Sequence, residues 1–308
     1  MAKKRVGFIG LGKMGLPMSK NVLKAFPLTV FDLDAEPVRE LTQLGAVRAT
    51  SPKDVGQNSD VVIFMVPDSP HIEAAVSGES GLLEGMQKGT IIIVMSTVEP
   101  LYIQELARKC APKGIKVIDC PVSGNRMKGA VDGTLTIMAG GPKEILEECR
   151  EILGTMGSNI IHCGEIHGSG EMVKIANNLI NLSTNLFLNE AMVLGVKFGI
   201  KADTMFEVFK NSSAGSWTLN NIWAPKVLKG DFTAVFDLDL AVKDTGLALA
   251  SGKALKVPLI LGAMVNQRYQ MESAAGRGKM DPVSSILSLE ELAGVQVRSE
   301  KKVDGVLR

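Results

Sequence analysis

A lysine and two asparagines stand among apolar residues near the middle of this 308-residue chain. Lys174 and Asn178 are four positions apart, so a helix would present both on one face, with Asn177 beside them. An ammonium group and amides in apolar surroundings are costly to bury unless they meet a polar ligand. An amine held in this way can act as a general acid or base toward a bound oxygen atom. The alternative is that this face of the helix meets water.

A second polar cluster lies in a glycine-bearing loop, residues 119–135, between two apolar runs that we expect to be strands. The Ser123 hydroxyl, the Gly124 amide and the Asn125 side chain are hydrogen-bond donors at consecutive positions. Donors grouped in this way can bind a carboxylate. Taken without further context, the segment is equally well explained as a simple connection between strands.

Lys243 is the third candidate for chemistry. It belongs to the segment Phe236–Asp244, and we expect it to lie on a helix. An isolated lysine on a helix is usually solvated. Lys243 therefore acquires a functional meaning only if other polar groups of a site lie near it.

Glycines at positions 10, 12 and 15 follow an apolar run, Val6–Ile9, and precede apolar residues at helical spacing. A strand, the G-x-G-x-x-G spacing and a helix in this order form the dinucleotide-binding fingerprint. The first glycine allows a tight turn, the second lets the backbone approach a pyrophosphate, and the third allows the helix to pack closely on its strand. The phosphates would bind to the free N–H groups at the helix N-terminus. The cofactor-binding residues predicted here are Gly10, Leu11, Gly12, Met14 and Gly15.

An acidic residue ends the second apolar run, residues 28–32. Asp32 follows Gly15 at close to the ~20-residue offset at which a carboxylate meets the adenosine ribose. A carboxylate accepts hydrogen bonds from the ribose hydroxyls and repels a 2′-phosphate, and the next residue, Leu33, is apolar where an NADP-binding protein would place an arginine. The pattern favours NAD. The alternative is an aspartate that only ends a strand in a turn.

The first half of the chain alternates between apolar runs and helical patterns. The runs are residues 6–9, 28–32, 60–67, 90–95, 115–119 and 134–139, and the helical segments lie near 35–43, 71–76, 99–110 and 142–153. Continuous Val/Ile-rich runs are typical of strands that helices cover on both faces. We therefore predict an α/β fold that begins with a Rossmann domain over residues 1–166. Ligands of such sheets bind at the carboxyl ends of the strands, where Val66-Pro67 and Ser96-Thr97 are expected.

The second half of the chain is predicted to be helical. Residues 171–199 contain no proline and no alternating pattern, and they predict a helix of ~40 Å, too long for an ordinary surface helix. Its apolar residues fall on several sides, so we expect it to pack against a second subunit as well as its own domain. Further helices are expected over 202–211, 218–229, 237–254, 259–275 and 282–293. These segments define an all-helical substrate and dimerisation domain, residues 167–296, followed by a frayed or loosely docked tail, 297–308.

The composition argues against several classes of protein. A net charge of +1 gives no electrostatic footprint for nucleic acid or an anionic membrane. Four cysteines and three histidines show no metal-type spacing, so we predict no metal site and reduced thiols. Because the charged N-terminus leads directly into a predicted strand, we expect no signal peptide. We expect a cytoplasmic protein.

Taken in order, the motifs resemble those of the β-hydroxyacid dehydrogenase family, which includes 3-hydroxyisobutyrate dehydrogenase, tartronate semialdehyde reductase and the glyoxylate/succinic semialdehyde reductases. The stretches that carry the resemblance are residues 7–21, 121–124, 133–135, 168–170 with 174–178, and 243–244. They span about 240 residues of the chain. The resemblance implies a Rossmann domain followed by an all-helical domain whose long helix contributes to dimers.

The resemblance also implies roles for the polar clusters. Lys174 corresponds to the catalytic lysine, which exchanges a proton with the hydroxyl or carbonyl oxygen. Ser123 and Gly124, with Asn125 beside them, correspond to the carboxylate anchor, and Asn178 orients the substrate. Lys243 resembles the lysine that closes the site near the nicotinamide and so touches substrate and cofactor. Segments that border the cofactor in the family correspond to Met65, Val66 and Pro67 and to Thr97.

The loop that follows Pro121 departs from the family pattern. It is one residue longer than usual, and Asn125 stands where a second glycine is typical, so that Arg126 and Lys128 are placed unusually. Val94 also stands where relatives commonly carry an aspartate. Our hypothesis is that this loop binds a second acidic or polar group on a substrate larger than a plain 3-hydroxypropionate-like acid.

These observations predict an NAD-dependent oxidoreductase that interconverts a small 3-hydroxyacid and its semialdehyde or keto acid, as a homodimer or homotetramer. Lys174 would be its general acid/base. One alternative is an NADPH-preferring semialdehyde or glyoxylate reductase of the same family. Another is a dinucleotide-binding protein without catalysis, and an imine-reductase-like activity is a further alternative within the family.

Overall fold

The computed structural model of the chain describes residues 3–124 and 126–300. The chain divides into two compact units, which we call the N-terminal unit (residues 1–174) and the C-terminal unit (residues 175–308). The division falls inside one long helix. The domain boundary proposed at residue 166 stays a prediction.

Nine strands of the described residues form one sheet in the N-terminal unit. They are β1 (Val6–Ile9), β2 (Leu28–Phe31), β3 (Val47–Arg48), β4 (Val61–Phe64), β5 (Ile91–Val94), β6 (Lys116–Asp119), β7 (Val122–Ser123), β8 (Thr136–Gly140) and β9 (Asn159–Gly164). The order is β3-β2-β1-β4-β5-β6-β8-β7, with β9 paired to β8. Strands β1 to β6 are parallel and follow the 3-2-1-4-5-6 order of a Rossmann sheet, which confirms the predicted fold.

The central strands are buried on both faces. In β1 and β4, Phe8 and Ile63 pack into one apolar cluster, whereas Val62 and Phe64 pack into a second cluster on the opposite face. Successive side chains of a strand point to opposite faces, so both faces need an apolar cover. The helices of this unit provide it: α1 (Gly15–Leu23), α2 (Ala35–Gln43), α3 (Pro52–Gln57), α4 (Ser69–Ser77), α5 (Leu82–Gly85), α6 (Pro100–Cys110), α7 (Arg126–Asp132) and α8 (Lys143–Leu153).

The structure corrects the sequence predictions beyond β6. The segment 119–135 is not a plain loop, because it contains β7 and α7. Strand β8 runs antiparallel to both β6 and β7, so the sheet is mixed at this edge. Strands β3 and β9 were not predicted. Two-residue strands such as β3 and β7 carry no measurable periodicity, and β9 is only half-buried and lacks a continuous apolar run.

The C-terminal unit is built from helices, as predicted. They are the continuation of α9 (Ser169–Phe198), then α10 (Ala202–Lys210), α11 (Ala224–Val227) after a π-helical turn (Leu219–Trp223), α12 (Leu238–Ala254), α13 (Ile260–Glu272) and α14 (Ile286–Ala293). The core of this unit includes Trp223, which is fully buried. Its indole Nε1 donates a hydrogen bond to Asn189 Oδ1 over 2.7 Å, so the one polar atom of the ring is satisfied.

The end of the described chain is held more firmly than expected. Val297 is fully buried, and its amide donates to Glu290 Oε1 over 2.8 Å. The Arg298 guanidinium pairs with the same carboxylate at 2.6 Å, and the Ser299 hydroxyl donates to Asp203 Oδ1. The expectation of a loosely docked tail was therefore wrong for these residues. Residues 301–308 lie outside the described part of the chain.

Helix α9 is long and largely apolar. By length and composition alone it is apolar enough to cross a membrane, with a mean hydropathy of 1.2 over 18 residues, of which 39% are buried. The core helices of many soluble proteins meet the same criterion. The helix also carries the buried polar residues Asn178, Asn185 and Asn189.

Candidate functional site

The glycine turn after β1 has the geometry that a dinucleotide requires. Gly10 has a φ of +96°, a conformation that L side chains rarely adopt. A Cβ atom on Gly15 would overlap the carbonyl oxygen of Gly10, so the third glycine is needed for close packing. A Cβ on Gly12 would meet no atom within 4 Å. The backbone at Gly12 therefore faces open space, which a pyrophosphate group fits.

Asp32 is hydrogen-bonded to the same turn. Its Oδ2 atom accepts a hydrogen bond from the Leu11 amide over 2.5 Å, and its Oδ1 atom accepts one from the Asp34 amide over 2.8 Å. The carboxylate is half-buried, whereas the neighbouring Leu33 side chain is 90% exposed. Asp32 is thus held beside the glycine turn, where a ribose would be expected, and Leu33 offers no positive charge there.

The ends of β4 and β5 lie beside the glycine turn. The Met65 amide donates to Ile9 O over 2.9 Å, and the Val66 amide donates to the Ser96 hydroxyl over 2.8 Å. Parallel strands present their carboxyl ends at one edge of the sheet, so Pro67 and Thr97 follow at this same edge. The structure thus brings the predicted cofactor residues of the N-terminal unit together.

The predicted carboxylate anchor lies at the other end of this edge. Ser123 is half-buried in β7, and Gly124 is exposed with a φ of +108°. The Asn21 side chain of α1 donates to the carbonyl oxygens of Ala130 and Val131, at 2.9 and 3.1 Å, and so fixes the end of α7. Asn125, which we predicted to bind substrate, lies outside the described residues.

Helix α9 begins at the same edge, tied to the sheet by two buried carboxylates. Asp119, the last residue of β6, accepts hydrogen bonds from the amides of Gly168 and Glu171. Glu171 in turn accepts one from the Val98 amide over 3.2 Å. Burial raises the pKa of Asp119 to about 6, although these backbone hydrogen bonds oppose the shift. Lys174 follows within the first two turns of the helix and is half-buried.

The C-terminal unit holds the remaining predicted substrate residues in a hydrogen-bonded cluster. Asn178 is 8% exposed, and its Nδ2 atom donates to Asp244 Oδ2 over 2.7 Å. The ammonium group of Lys243 lies 3.4 Å from the other oxygen of Asp244. Asn178 and Lys243 are therefore joined through one buried carboxylate. Asn177, by contrast, is exposed.

Three buried acidic residues were missed as functional candidates. Asp119 and Glu171 hold the start of α9, and Asp244 links Asn178 to Lys243. The sequence contains one partial signal, because Asp119 ends an apolar run and Asp244 directly follows Lys243. Which groups these carboxylates bind depends on contacts between distant segments. Within residues 3–124 and 126–300, no group of three or more His, Cys, Asp or Glu side chains is arranged to hold a metal ion.

Two family descriptions together match almost the whole chain. Residues 5–164 match the NAD binding domain of 6-phosphogluconate dehydrogenase. Residues 168–289 match the family described as NAD-binding of NADP-dependent 3-hydroxyisobutyrate dehydrogenase. The two matches meet between residues 164 and 168, near the start of α9.

Curated relatives are similar over their full length. The chain is 38% identical to 2-(hydroxymethyl)glutarate dehydrogenase of Eubacterium barkeri, over 95% of this chain and 97% of that protein. It is 36% identical to 3-sulfolactaldehyde reductase of Escherichia coli K12, over 95% and 98% of the two chains. Among solved structures, Mycobacterium tuberculosis 3-hydroxyisobutyrate dehydrogenase with L-serine superimposes with a TM-score of 0.86 at 28% identity, covering 94% of this chain and 99% of that one.

Proposed function

The chain belongs to the β-hydroxyacid dehydrogenase family of oxidoreductases, and on that basis we propose that it interconverts a small 3-hydroxyacid and its semialdehyde with NAD. One observation carries the proposal for the site. The carboxylates of Asp119 and Glu171 accept hydrogen bonds that attach the start of α9 to the end of β6 and to the loop after β5, so the first turns of the helix, with Lys174, lie at the cofactor edge of the sheet.

Lys174 is the proton-transferring group in this proposal. The nicotinamide, when bound, accepts or gives a hydride at the substrate carbon. Oxidation of an alcohol also requires its hydroxyl proton to leave, and the Lys174 amine accepts that proton when it is neutral. In the reverse direction the ammonium donates a hydrogen bond to the carbonyl oxygen and then transfers its proton to it.

Separate groups bind the rest of the substrate. We assign the carboxylate to the Ser123 hydroxyl and the Gly124 amide, and the orientation of the reacting carbon to Asn178. The Asp244 carboxylate accepts the hydrogen bond of the Asn178 N–H group, and the carbonyl oxygen of that amide accepts one from Asn177 Nδ2 over 3.5 Å and has a second lone pair for a ligand. Lys243, held against the same carboxylate, contributes a positive charge for an anionic ligand.

We further propose that the substrate carries a second anionic group. One relative supports this, because its name, 2-(hydroxymethyl)glutarate dehydrogenase, specifies a dicarboxylate. The segment in which we placed the recognising side chains includes Asn125, which lies outside the described residues, and Arg126, which begins α7. Lys128 in the same helix is exposed. An excess of positive charge here suits a dianionic substrate.

The preference for NAD rests on Asp32 and Leu33. The Asp32 carboxylate is held beside the glycine turn by the Leu11 amide and would repel a 2′-phosphate, whereas the exposed Leu33 side chain cannot attract one. An NADP-preferring enzyme is the second candidate, because the family matched by residues 168–289 is described as NADP-dependent.

We propose that the protein is a homo-oligomer located in the cytoplasm. One face of α9 exposes large apolar residues, and the most exposed of them are Ile180, Phe187, Leu194 and Phe198. We call this set the apolar stripe. Three of its members are spaced by seven residues, the repeat that pairs helices between subunits. A second copy of the chain is a better partner than lipid, because the same helix carries three buried asparagines.

The four cysteines are free thiols, which suits the reducing environment of the cytoplasm.

The decisive experiment compares Lys174→Ala with the wild type. We expect the variant to bind NAD with unchanged affinity and to lose about 10²- to 10⁴-fold in kcat, the usual contribution of a general acid or base. Turnover is measured with both cofactors on a panel of mono- and dianionic 3-hydroxyacids and aldehyde acids. Retained turnover in the variant would refute the role of Lys174. Equal kcat/KM with NAD and NADP would refute the cofactor preference.

A further inference from the structure

Asp119 is a buried carboxylate at the end of β6. Its side chain is fully buried, and it lies in the N-terminal unit together with the start of α9. The proposed function requires no buried carboxylate at this point, because Asp119 ends a central strand and an apolar residue would be easier to bury there. A buried carboxylate persists only when several donors satisfy it.

The donors come from the free N–H groups that begin α9. Asp119 Oδ1 accepts a hydrogen bond from the Gly168 amide over 2.7 Å, and Oδ2 accepts one from the Glu171 amide over 2.9 Å. The first amides of a helix have no partner within the helix and are usually capped by a side chain nearby in sequence. Here the capping residue is 49 positions away, and it belongs to the sheet.

Glycine residues pack closely around the Asp119 carboxylate. A Cβ atom on Gly140 would lie 2.6 Å from Asp119 Oδ2, and one on Gly170 would lie 2.9 Å from the same oxygen. Gly168 has a φ of +89°, and a Cβ there would overlap the carbonyl of Pro100. Two glycines from two segments therefore pack closely on the Asp119 side chain, and Gly168 packs against Pro100. This arrangement explains the Gly168-Ser169-Gly170 motif without reference to any ligand.

The same helix start is also tied to the loop after β5. Glu171 is fully buried and accepts a hydrogen bond from the Val98 amide over 3.2 Å. Val98 follows Thr97, which we assigned to the cofactor. Asp119 therefore holds the start of α9 at the end of β6, and Glu171 holds it to the loop after β5. Glu171 is three residues before Lys174 in the helix.

We propose that Asp119 is a positioning residue, which sets the place of Lys174 at the cofactor edge by holding the amides of Gly168 and Glu171. The inference rests on the proposed function, because it presupposes that Lys174 transfers the proton. Asp119 does not touch the substrate. Its effect passes through the backbone of the first turn of α9.

The ionisation of Asp119 should make the positioning of Lys174 depend on pH. Burial raises the pKa of Asp119 to about 6, so the side chain is ionised at neutral pH and accepts both hydrogen bonds. Below that pH it gains a proton and becomes a weaker acceptor. The titratable groups near it are Glu171 of α9 and the thiols of Cys120 and Cys163, whereas the His167 ring, before that helix, contacts the Val117 carbonyl. Burial favours the neutral form of both groups, because it lowers the pKa of His167 and raises the pKa of the Cys163 thiol.

The test is Asp119→Asn, which keeps the size of the side chain but cannot offer two anionic oxygens. We expect kcat to fall by about 10- to 100-fold, the effect of a small misplacement of a reacting group. The dissociation constant for NAD should stay within about threefold, because the glycine turn is untouched. The wild-type kcat should decline below about pH 6, and this acidic limb should be absent from the variant.

Asp281→Asn is the matched control. Asp281 is also fully buried and also caps a helical turn, by accepting a hydrogen bond from the Val283 amide in the C-terminal unit. It should lower the melting temperature as Asp119→Asn does, yet keep kcat and the acidic limb. If the two variants lose the same small fraction of kcat, Asp119 is only structural and the proposal is overturned.

Lys174→Ala, measured in parallel, separates this inference from the proposed function. If Lys174→Ala keeps its turnover, the proposed function fails. If Lys174→Ala is inactive while Asp119→Asn has the wild-type kcat and pH profile, only the positioning role fails. Should Asp119→Asn not fold, the wild-type profile between pH 5 and 8 decides: an acidic limb in kcat near pH 6 supports the role, and a flat profile overturns it.

Discussion

Asn178 donates a hydrogen bond from Nδ2 to Asp244 Oδ2 over 2.7 Å, joining α9 to α12 inside the C-terminal unit. Both side chains are buried, and Asp244 also faces the ammonium group of Lys243 at 3.4 Å. An amide whose N–H group is already engaged presents its oxygen in a defined direction. We therefore interpret Asp244 as the group that orients both Asn178 and Lys243.

Asp244→Ala should separate this orientation from simple stability. We expect kcat/KM for the hydroxyacid to fall by about 10- to 100-fold, because both polar side chains lose their common partner. Steady-state kinetics and thermal unfolding measure the two effects. Asn266→Ala is the control, since it removes buried hydrogen bonds to Thr245 Oγ1 and Val242 O in the same unit. Equal losses of kcat/KM in the two variants would contradict the interpretation.

The glycine turn predicts opposite behaviour for two neighbouring alanine substitutions. A Cβ at Gly12 meets no atom, so Gly12→Ala should keep the melting temperature but weaken NAD binding by at least about tenfold, because the methyl group occupies the space of the pyrophosphate. A Cβ at Gly15 overlaps the Gly10 carbonyl, so Gly15→Ala should lower the melting temperature as well. Calorimetric titration with NAD and thermal unfolding provide the readouts. Unchanged NAD affinity in Gly12→Ala would rule out this place for the pyrophosphate.

The apolar stripe predicts the behaviour of the protein in solution. Ile180 and Leu194 are 70% and 73% exposed, so the double change Ile180→Asp/Leu194→Asp should leave the fold of one chain intact and dissociate the oligomer. Light scattering should then report a single chain of 32.9 kDa in place of a multiple of that mass. Ile166→Asp, at a site 67% exposed outside α9, should leave the mass unchanged. A wild-type protein that is monomeric, or that binds neutral lipid vesicles through α9, would refute the pairing.

The ionisation of Glu272 should make the free energy of unfolding depend on pH. Burial favours its neutral form, but hydrogen bonds from Ser288, Arg277 and Arg268 outweigh burial and lower its pKa below the ordinary 4.5. A lowered pKa in the folded state means that the stabilisation is complete above about pH 4.5 and is lost as the pH falls through the folded-state value. Glu272→Gln should therefore reduce the free energy of unfolding at pH 7 by about 2 kcal/mol. This loss is smaller than that for breaking a fully buried ion pair, because both arginine side chains are about a fifth exposed and solvent screens them.

The control for this prediction is Glu147→Gln, which removes an exposed pair with Arg150. It should leave the unfolding free energy unchanged at every pH, because solvent screens such pairs. Denaturant titrations at pH 7 and pH 4 measure both variants. A Glu272→Gln deficit that stays constant between the two values would contradict the proposed ionisation.

Local patterns in the sequence were sufficient for much of the architecture. Continuous apolar runs predicted β1, β2, β4, β5 and β6, and their alternation with helices predicted the parallel sheet. The spacing of Gly10, Gly12 and Gly15 predicted the turn, and the four-residue separation of Lys174 and Asn178 predicted their common helix. These features depend on neighbours within a few residues, so composition and periodicity encode them directly.

Only the tertiary structure decided how the polar side chains are held. Asp119 caps α9 through the Gly168 amide, 49 residues later in the chain, and Asn178 meets Asp244 across 66 residues. The antiparallel entry of β8 and the helix α7 inside the presumed loop are likewise set by packing. A buried carboxylate is stable only where donors from distant segments converge on it, and no periodic pattern in a single chain records which segments will meet.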